Sequence, residues 1–473
     1  MPEPHVAIFS DTSPVLIDGE LGVGHAREEL SGNFSTIEGL PEEMVLEIFY
    51  FYKLACGSFS LEWQKEWQKL VHVCWQWRTI IFASQHRLAL RLICTPKASI
   101  KQTLDLWPAF PIVARYSGGN LSPDDRDKIT AVLQQHDRIC EINLDLYHPL
   151  SEKESQIMQE TFPLLECLVL CSWQGTDPVL SSTFLSGSVP RLRVLHLYGI
   201  AFPALPRLLS SASDLVDLLL HRVPSTGYIS PEALVSGLNT PPPLSEQITI
   251  STLIQLTFDG PCNYLNDLLS RISAPSLKHA KIDLFDQPHF DISQLSQFLG
   301  RVESQRLPNV AQAILYLPGA FRYCTQSVAP AGSPPNTSEC FNLNFAFPSR
   351  FELFQLNQIC QQISSFLSGV RALDIHTFVR PLGSDEDFAQ WLNLFHVFSR
   401  VEQLHITGRS SLNVAYALQL ISAEIAADVL PTLRELTLDP FTSESREAVT
   451  SFVDAHKVAG LPAISFRQPM VIE

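Results

Sequence analysis

Residues 192–221, LRVLHLYGIAFPALPRLLSSASDLVDLLLH, contain the pattern from which the fold can be inferred. The stretch begins and ends with the same pattern, apolar-x-x-apolar-x-apolar, in residues 192–197 and again in 215–220. The last positions of each unit alternate between apolar and other side chains, as in a strand with one buried face. The segment FPALPRLLSS between them is typical of a helix. The stretch therefore predicts a strand, a helix and a second strand.

The same pattern recurs along the chain at intervals of about 23 to 33 residues, with one wider gap, and this spacing is close to that of leucine-rich repeats. The units start at Ile139, Leu165, Leu192, Leu215, Leu253, Leu277, Val370, Val401 and Leu433, and more weakly at Val310 and Cys340. A strand and a helix per unit can bury their apolar side only by stacking on neighbouring units. We therefore expect an α/β fold in which residues 96–473 form a degenerate leucine-rich-repeat solenoid, or horseshoe.

An ordinary α/β sheet with leucine-rich strands is the alternative to a solenoid. A GxGxxG loop or a P-loop would favour such a sheet, and the sequence contains neither motif. It also lacks a GxSxG elbow, an HExxH helix and a kinase signature. We therefore expect no enzymatic activity and no cofactor.

Composition and charge limit the classes of partner that the chain is expected to bind. The chain has 473 residues, 45% of them hydrophobic, and a formal net charge of −16. Binding to nucleic acid depends on clustered Lys and Arg, so no nucleic-acid partner is expected. The balance suits a soluble protein that recognises other proteins.

Cysteine usage and the N-terminus bear on location. The ten cysteines are scattered without a zinc-ligand framework, which predicts small buried side chains in a reducing compartment and no metal site. The N-terminus lacks the basic and apolar regions of a secretory signal, and no apolar stretch reaches the roughly 18 residues that a membrane span needs. We expect a cytoplasmic or nuclear protein without a membrane partner.

The N-terminal part is expected to form a flexible tail over residues 1–36 and a helical domain over 37–95. In LPEEMVLEIFYFY, residues 40–52, a proline suits the first turn of a helix and apolar residues recur every four positions from Leu40 to Tyr52. A second apolar stripe in 61–82 fits one long helix or two short ones. Four tryptophans within 63–77 exceed what such a small unit can enclose, so the surplus should cover a partner or the next domain.

This segment resembles the F-box, whose usual form is LPxE…IF…L…VCxxWR. The matching residues are Leu40 to Glu43, Ile48 and Phe49, and Leu70 to Arg78. The stretch between Tyr52 and Leu70 is longer than in a typical F-box. Downstream, LRLICTP, LDLWPAFPIVARY and DRDKITAVL look like the large F-box protein family of mushroom-forming fungi (basidiomycetes).

The resemblance implies a partner and a role. F-boxes dock on the adaptor of SCF ubiquitin ligases and through it on a cullin, while the rest of the chain holds a target protein. Carried onto matching positions, the adaptor contacts would be Leu40, Pro41, Ile48, Phe49, Leu70, Val73 and Trp77. Some of these side chains must form the core of the F-box itself. The alternative is a non-catalytic scaffold whose F-box-like segment only caps the solenoid.

A target surface is predicted on the strand face opposite the leucines. Positions that alternate with the inward leucines carry aromatic, histidine and acidic side chains, and such a surface favours basic partners. The predicted residues are His196, Tyr198, Asp217, His221, Asp259, Lys281, Asp283, Asp374, His376, His405 and Asp439.

Overall fold

The computed structural model divides the chain into two compact units, residues 1–88 and 89–473. It describes residues 40–56, 61–95, 104, 107, 110–116, 122–146, 150–172, 178–224, 247–284, 291–303, 310–317, 320–326, 341–346, 353–377, 385–408, 411–439 and 442–467. The predicted flexible tail, 1–36, lies outside the described residues.

The first unit, the helical unit, contains four described helices: α1 Glu42–Cys56, α2 Leu61–Leu70, α3 Trp75–Ala83 and α4 Gln85–Leu88. Pro41 precedes α1, Glu42 and Glu43 occupy its first turn, and Lys53 lies in its last turn, an order that complements the helix dipole. The second apolar stripe forms two helices, because a turn at 71–74 separates α2 from α3.

The second unit, the sheet unit, is mixed α/β. In the described residues, fifteen strands form one open, mostly parallel sheet in the order β1-β2-β3-β4-β5-β6-β8-β10-β13-β12-β11-β14-β15-β16-β17, and β7 pairs separately with β9. The strands are β1 Leu92–Cys94, β2 Ile112–Tyr116, β3 Ile139–Asp145, β4 Cys167–Cys171, β5 Val194–Tyr198, β6 Asp217–His221, β7 Ile248–Thr249, β8 Gln255–Gly260, β9 Ile272–Ser273, β10 His279–Leu284, β11 Val310–Leu317, β12 Ala320–Gln326, β13 Asn342–Ala346, β14 Val370–Thr377, β15 Gln403–Gly408, β16 Glu435–Asp439 and β17 Ser465–Arg467.

The sheet departs from a regular array at its centre. A simple array places the Val310 unit beside β10, but β10 pairs with β13, and the antiparallel strand β12 lies between β13 and β11. Only two residues, Pro318 and Gly319, connect β11 to β12, whereas a parallel crossover needs a dozen or more. The chain must therefore reverse here. The Pro-Gly pair between two apolar runs is the sequence signal for this hairpin.

Helices connect many of the parallel strands and pack beside one another. The described ones are Pro123–Leu133, Glu152–Ile157, Leu205–Leu209, Cys262–Arg271, Ser293–Glu303, Leu353–Gln362, Ser364–Leu367, Asp385–Val397, Ser411–Gln419, Ala423–Ala426 and Ser443–Val458. The helix at Pro123 begins with a capping box, in which the Ser122 side chain accepts from the Asp125 backbone and Asp125 accepts from Ser122.

The core of the sheet unit is built from the repeat leucines. Leu195, Leu197, Leu218 and Leu220 are at most 1% exposed, which confirms the predicted strand register. The other apolar positions of the nine clear repeats are also buried. In the two weaker repeats, Ala313 and Leu343 are buried, whereas Cys340 lies outside the described residues. One face of the sheet therefore packs into a core, and the other keeps alternating, partly exposed side chains.

Candidate functional site

The core of the helical unit takes two residues of the F-box-like motif. Phe49 and Trp77 are buried, and their rings meet edge to face with centroids 4.9 Å apart. Val45 and Val71 are fully buried as well. On α1, the apolar residues spaced every four positions from Met44 to Tyr52 are exposed. The neighbouring row of Val45 and Phe49 faces inward.

The remaining predicted adaptor contacts lie at the surface or partly so. Pro41, Ile48 and Val73 are exposed, while Leu40 and Leu70 are half-buried. Gln76 Nε2, at the start of α3, donates to the Leu40 carbonyl at 3.4 Å. The starts of α3 and α1 therefore lie side by side. The motif thus splits into an inner pair, Phe49 and Trp77, and an outer set available to a partner.

Sequence reasoning missed several of the exposed apolar residues. Trp75 and Phe51 are 75% and 65% exposed, the largest values among the apolar side chains described in the helical unit. Met44, Tyr50, Leu54 and Phe82 are exposed too. The four tryptophans within 63–77 indicated an exposed apolar surface, but the sequence did not show which ring is exposed. Large apolar side chains left in water on a small unit are typical of interaction surfaces.

Side chains on the polar face of the sheet align in three rows that run across the strands. The first row contains Asp217, Gln255, His279 and Asn342. In the second row, His196 on β5 aligns with Leu219 on β6, and Lys281 on β10 aligns with Asn344 on β13. In the third row, Tyr198 aligns with His221. The strands hold these side chains in register, because each step between parallel strands is fixed by the backbone ladder.

The first cluster on this face, the Tyr198 cluster, spans β5, β6 and β8. His196 Nε2 lies 2.9 Å from Asp217 Oδ2, and His221 Nδ1 lies 2.5 Å from Asp259 Oδ2. The Tyr198 ring stands between the two imidazoles, nearly perpendicular to both, at centroid distances of 6.4 and 5.5 Å. A half-buried phenol is therefore flanked by two histidine–carboxylate pairs.

Burial shapes the protonation of this cluster. Burial raises the pKa of Asp259; the charge of His221 opposes that rise, and the neighbouring Asp283 carboxylate adds to it. Asp283 on β10 aligns with Asp259 on β8, and Lys281 Nζ lies 3.0 Å from Asp283 Oδ2. Burial also raises the pKa of Tyr198, with Cys171 and Asp217 adding to the effect. The phenol therefore stays neutral beside carboxylates that repel further negative charge.

The second cluster, the His376 cluster, spans β11, β14 and β15. The rings of Tyr316 and His376 stack with centroids 5.0 Å apart and planes 12° from parallel, and His376 Nδ1 lies 2.7 Å from the Thr407 hydroxyl. Asp374 accepts from Gln312 Nε2 at 2.6 Å, and its other oxygen lies 3.5 Å from His405 Nδ1. This is again an aromatic ring beside a histidine–carboxylate pair.

The His405–Asp374 pair shifts both pKa values. The hydrogen bond to Asp374 raises the pKa of His405 despite partial burial, and the Asp374 charge adds to the rise. Burial acts to raise the pKa of Asp374, but hydrogen bonds from His405 and Gln312 and the nearby imidazoles outweigh it, so the pKa is lowered. Both shifts favour the ionised pair.

The centre of the polar face differs from the two clusters. Lys281 and Arg322 are exposed there, in the second row, with Asn344 between them. Arg322 Nε donates to Asn344 Oδ1 at 2.8 Å, and His279 in the first row is exposed beside Asn342. The predicted target residues therefore do not form one continuous patch: a basic strip lies between two acidic, aromatic clusters.

In the described part of the chain, no three His, Cys, Asp or Glu side chains come together in a way that could hold a metal ion. Burial raises the pKa of the Cys94 thiol to about 11 and that of Cys140 to about 12, so neither is a thiolate near neutral pH. Among the described helices, none is long and apolar enough to cross a membrane.

Comparison of the sequence with models of known protein families finds no family that matches. A search of the curated proteins likewise finds no significant match.

Proposed function

We propose that this chain is the substrate-recognition subunit of an SCF-type ubiquitin ligase. The helical unit docks on the SCF adaptor and through it on a cullin, and the sheet unit, a degenerate leucine-rich-repeat solenoid, binds a target protein. The chain carries out no chemistry itself. It acts by raising the effective concentration of a target lysine near a tethered conjugating enzyme, in the cytoplasm or the nucleus.

One observation carries this proposal. The segment with F-box-like order exposes Pro41, Ile48 and Val73 of its motif, together with Phe51 and Trp75, while Phe49 and Trp77 supply the internal core. Exposed aromatic and aliphatic side chains are the residue types that become binding hot spots once a partner covers them. A segment that served only as a cap would not need its motif residues in water.

The test is adaptor binding by the purified full-length chain. Ile48→Asp and Val73→Asp place a charge on the proposed surface without removing a core side chain. Each should weaken adaptor binding by at least about tenfold, since losing a buried apolar contact of about 1.5 to 3 kcal/mol already suffices. Biolayer interferometry with immobilised adaptor measures the change.

Val458→Asp is the matched control, because Val458 is exposed on the last long helix of the sheet unit. It should leave adaptor binding unchanged. A wild-type chain that shows no adaptor binding would contradict the ligase role and favour the scaffold. Equal losses from Val458→Asp and Ile48→Asp would show that the binding is not specific to the helical unit.

A further inference from the structure

The two clusters on the polar face share one chemistry. Each places an aromatic ring beside a histidine whose neighbours include a carboxylate: Tyr198 with His221 and Asp259, and the Tyr316–His376 stack with Asp374. An aromatic face and a carboxylate together suit a guanidinium, which stacks on rings and donates two parallel hydrogen bonds to a carboxylate. An ammonium supplies the charge and single hydrogen bonds, but it lacks the flat stacking surface and the two parallel donors.

Unused acceptors point in the same direction in the Tyr198 cluster. Asp217 Oδ1 and Asp283 Oδ1 are shielded from solvent and have no hydrogen-bond partner, although the second oxygen of each carboxylate is paired. A shielded acceptor without a donor is costly. Each carboxylate is therefore only partly neutralised by its own partner, and a cationic group placed over its exposed part is favoured, whereas a carboxylate or phosphate would add to the repulsion.

The distance between the clusters follows from the strand order. Six strand-to-strand steps separate His221 on β6 from His376 on β14, because β8, β10, β13, β12 and β11 lie between them. At about 4.8 Å for each step, the span is roughly 29 Å along the sheet, which an extended chain covers in about nine residues.

The basic strip limits which residues the bound segment can have between the two clusters. Arg322, which donates to the neutral Asn344, would repel a cationic side chain at the middle of this span. Lys281, whose ammonium is paired with Asp283, adds a smaller repulsion. A uniformly basic segment is therefore a poor fit. The charge order along the face is acidic, basic, acidic, and its complement is basic, neutral or acidic, basic.

We propose that the polar face binds an extended segment of another protein with arginines at two places about nine residues apart and a neutral or acidic stretch between them. One arginine site is the Tyr198 cluster and the other is the His376 cluster. This inference rests on the proposed function only in taking the polar face as the target surface.

Labelled synthetic peptides and the full-length chain provide the test. The probe peptide carries two Arg-Arg pairs separated by about eight Gly and Ser residues, enough to span the two clusters. A second peptide of the same composition has its pairs separated by two residues, and further peptides replace Arg by Lys or by Glu. Fluorescence anisotropy gives the affinities.

The long-spaced Arg peptide should bind at least about tenfold more tightly than the short-spaced one, because only it engages both sites at once. The Lys version should bind more weakly than the Arg version, and the Glu version should not bind. Added salt should weaken the binding. Equal affinity for the two spacings, or equal binding of the Glu peptide, would overturn the proposal.

Variants then assign each site. Asp439 on β16 aligns with Thr407 and so lies at the edge of the His376 cluster. Asp217→Asn with Asp259→Asn, or Asp374→Asn with Asp439→Asn, should each reduce the long-spaced peptide to the affinity of the short-spaced one. Glu424→Gln with Glu444→Gln is the matched control, because both carboxylates are exposed on helices. Unchanged affinity in both cluster variants would also overturn the proposal.

If a cluster variant fails to fold, the comparison of the long-spaced and short-spaced peptides on the wild-type chain still tests the proposal. Adaptor binding is measured separately, so a chain that binds the adaptor but not the peptide refutes this inference alone. A chain that binds the peptide but not the adaptor refutes the ligase role alone.

Discussion

Large apolar side chains are used differently in the two units. In the helical unit, Phe51 and Trp75 remain mostly in water, whereas Leu195 and Leu218 in the sheet unit are fully buried. Four described helices cannot enclose so many rings, while each strand of the sheet is covered by its neighbours and by helices. Burial in the sheet unit thus follows from strand register, and the exposed side chains of the helical unit are the surface that we propose the adaptor covers.

The sharpest test of this contrast lies within α1. Phe49→Ala removes a buried ring from the helical unit and should lower its free energy of unfolding by roughly 3 to 5 kcal/mol. Phe51→Ala, two residues away, should cost less than about 1 kcal/mol, because its ring is already mostly exposed. Amide hydrogen exchange of residues 42–83 measures both. Similar losses from the two variants would mean that Phe51 is also part of the core.

The sheet unit can be tested in the same way. Leu197→Ala should lower its stability by roughly 2 to 5 kcal/mol, since the side chain is buried among the other repeat leucines. Leu420→Ala, at an exposed leucine in the same unit, should change stability by less than about 0.5 kcal/mol. Urea unfolding followed by circular dichroism gives the comparison. A small effect at Leu197 would show that the neighbouring strands close the cavity.

A glycine at the end of β5 tests how closely the strands fit. Gly199 has φ +63°, and a Cβ there would lie 2.4 Å from the Ser172 carbonyl oxygen. Gly199→Ala should therefore cost about 1 to 3 kcal/mol. Gly300, in the helix Ser293–Glu303, has no atom within 4 Å of a built Cβ, so Gly300→Ala should stabilise by roughly 0.5 to 1 kcal/mol. If the two substitutions changed the free energy of unfolding in the same direction, this explanation would be wrong.

The sequence predicted the sheet better than it predicted the helical unit. A period of two fixes which strand side chains face inward, so Leu195 and Leu197 could be assigned before any coordinates. On α1, both the Met44–Ile48 row and the Val45–Phe49 row are apolar, and spacing alone cannot tell which one packs inside. Contacts with α3, such as that of Phe49 with Trp77, decide the question, and these depend on how the helices cross.

The candidate site was predictable residue by residue but not as an arrangement. Alternation placed His221 and His376 on the same face, and both do alternate with buried residues there. Repeat order alone separates them by several strands, because the units that start at 253, 277, 310 and 340 lie between them. The β11–β12 hairpin was not predicted: it inserts an antiparallel strand that brings Arg322 to the centre of the polar face. That insertion follows from the two-residue link at Pro318, a local signal unrelated to the repeat spacing.

The smallest expected effect concerns the His405–Asp374 pair and its dependence on pH. The pKa of His405 is raised, so its contribution to stability is complete below the unfolded-state pKa of about 6.5 and is lost as pH rises through the higher folded-state value. The pKa of Asp374 is lowered, so its contribution is present above about 3.9 and is lost as pH falls through the lower folded-state value. The pair therefore contributes most between about pH 4 and 6.5.

Because His405 is partly exposed, solvent screening limits this contribution to less than about 1 kcal/mol. The stability difference between wild type and His405→Gln should be largest near pH 5.5 and should shrink towards pH 9. In an Asp374→Asn background, the same comparison should lose most of its pH dependence, because the imidazolium no longer has its partner. A His405→Gln effect that stays constant with pH would mean that the imidazole contributes only packing. The His405–Asp374 contact would then be weak enough for Asp374 to exchange it for an incoming guanidinium.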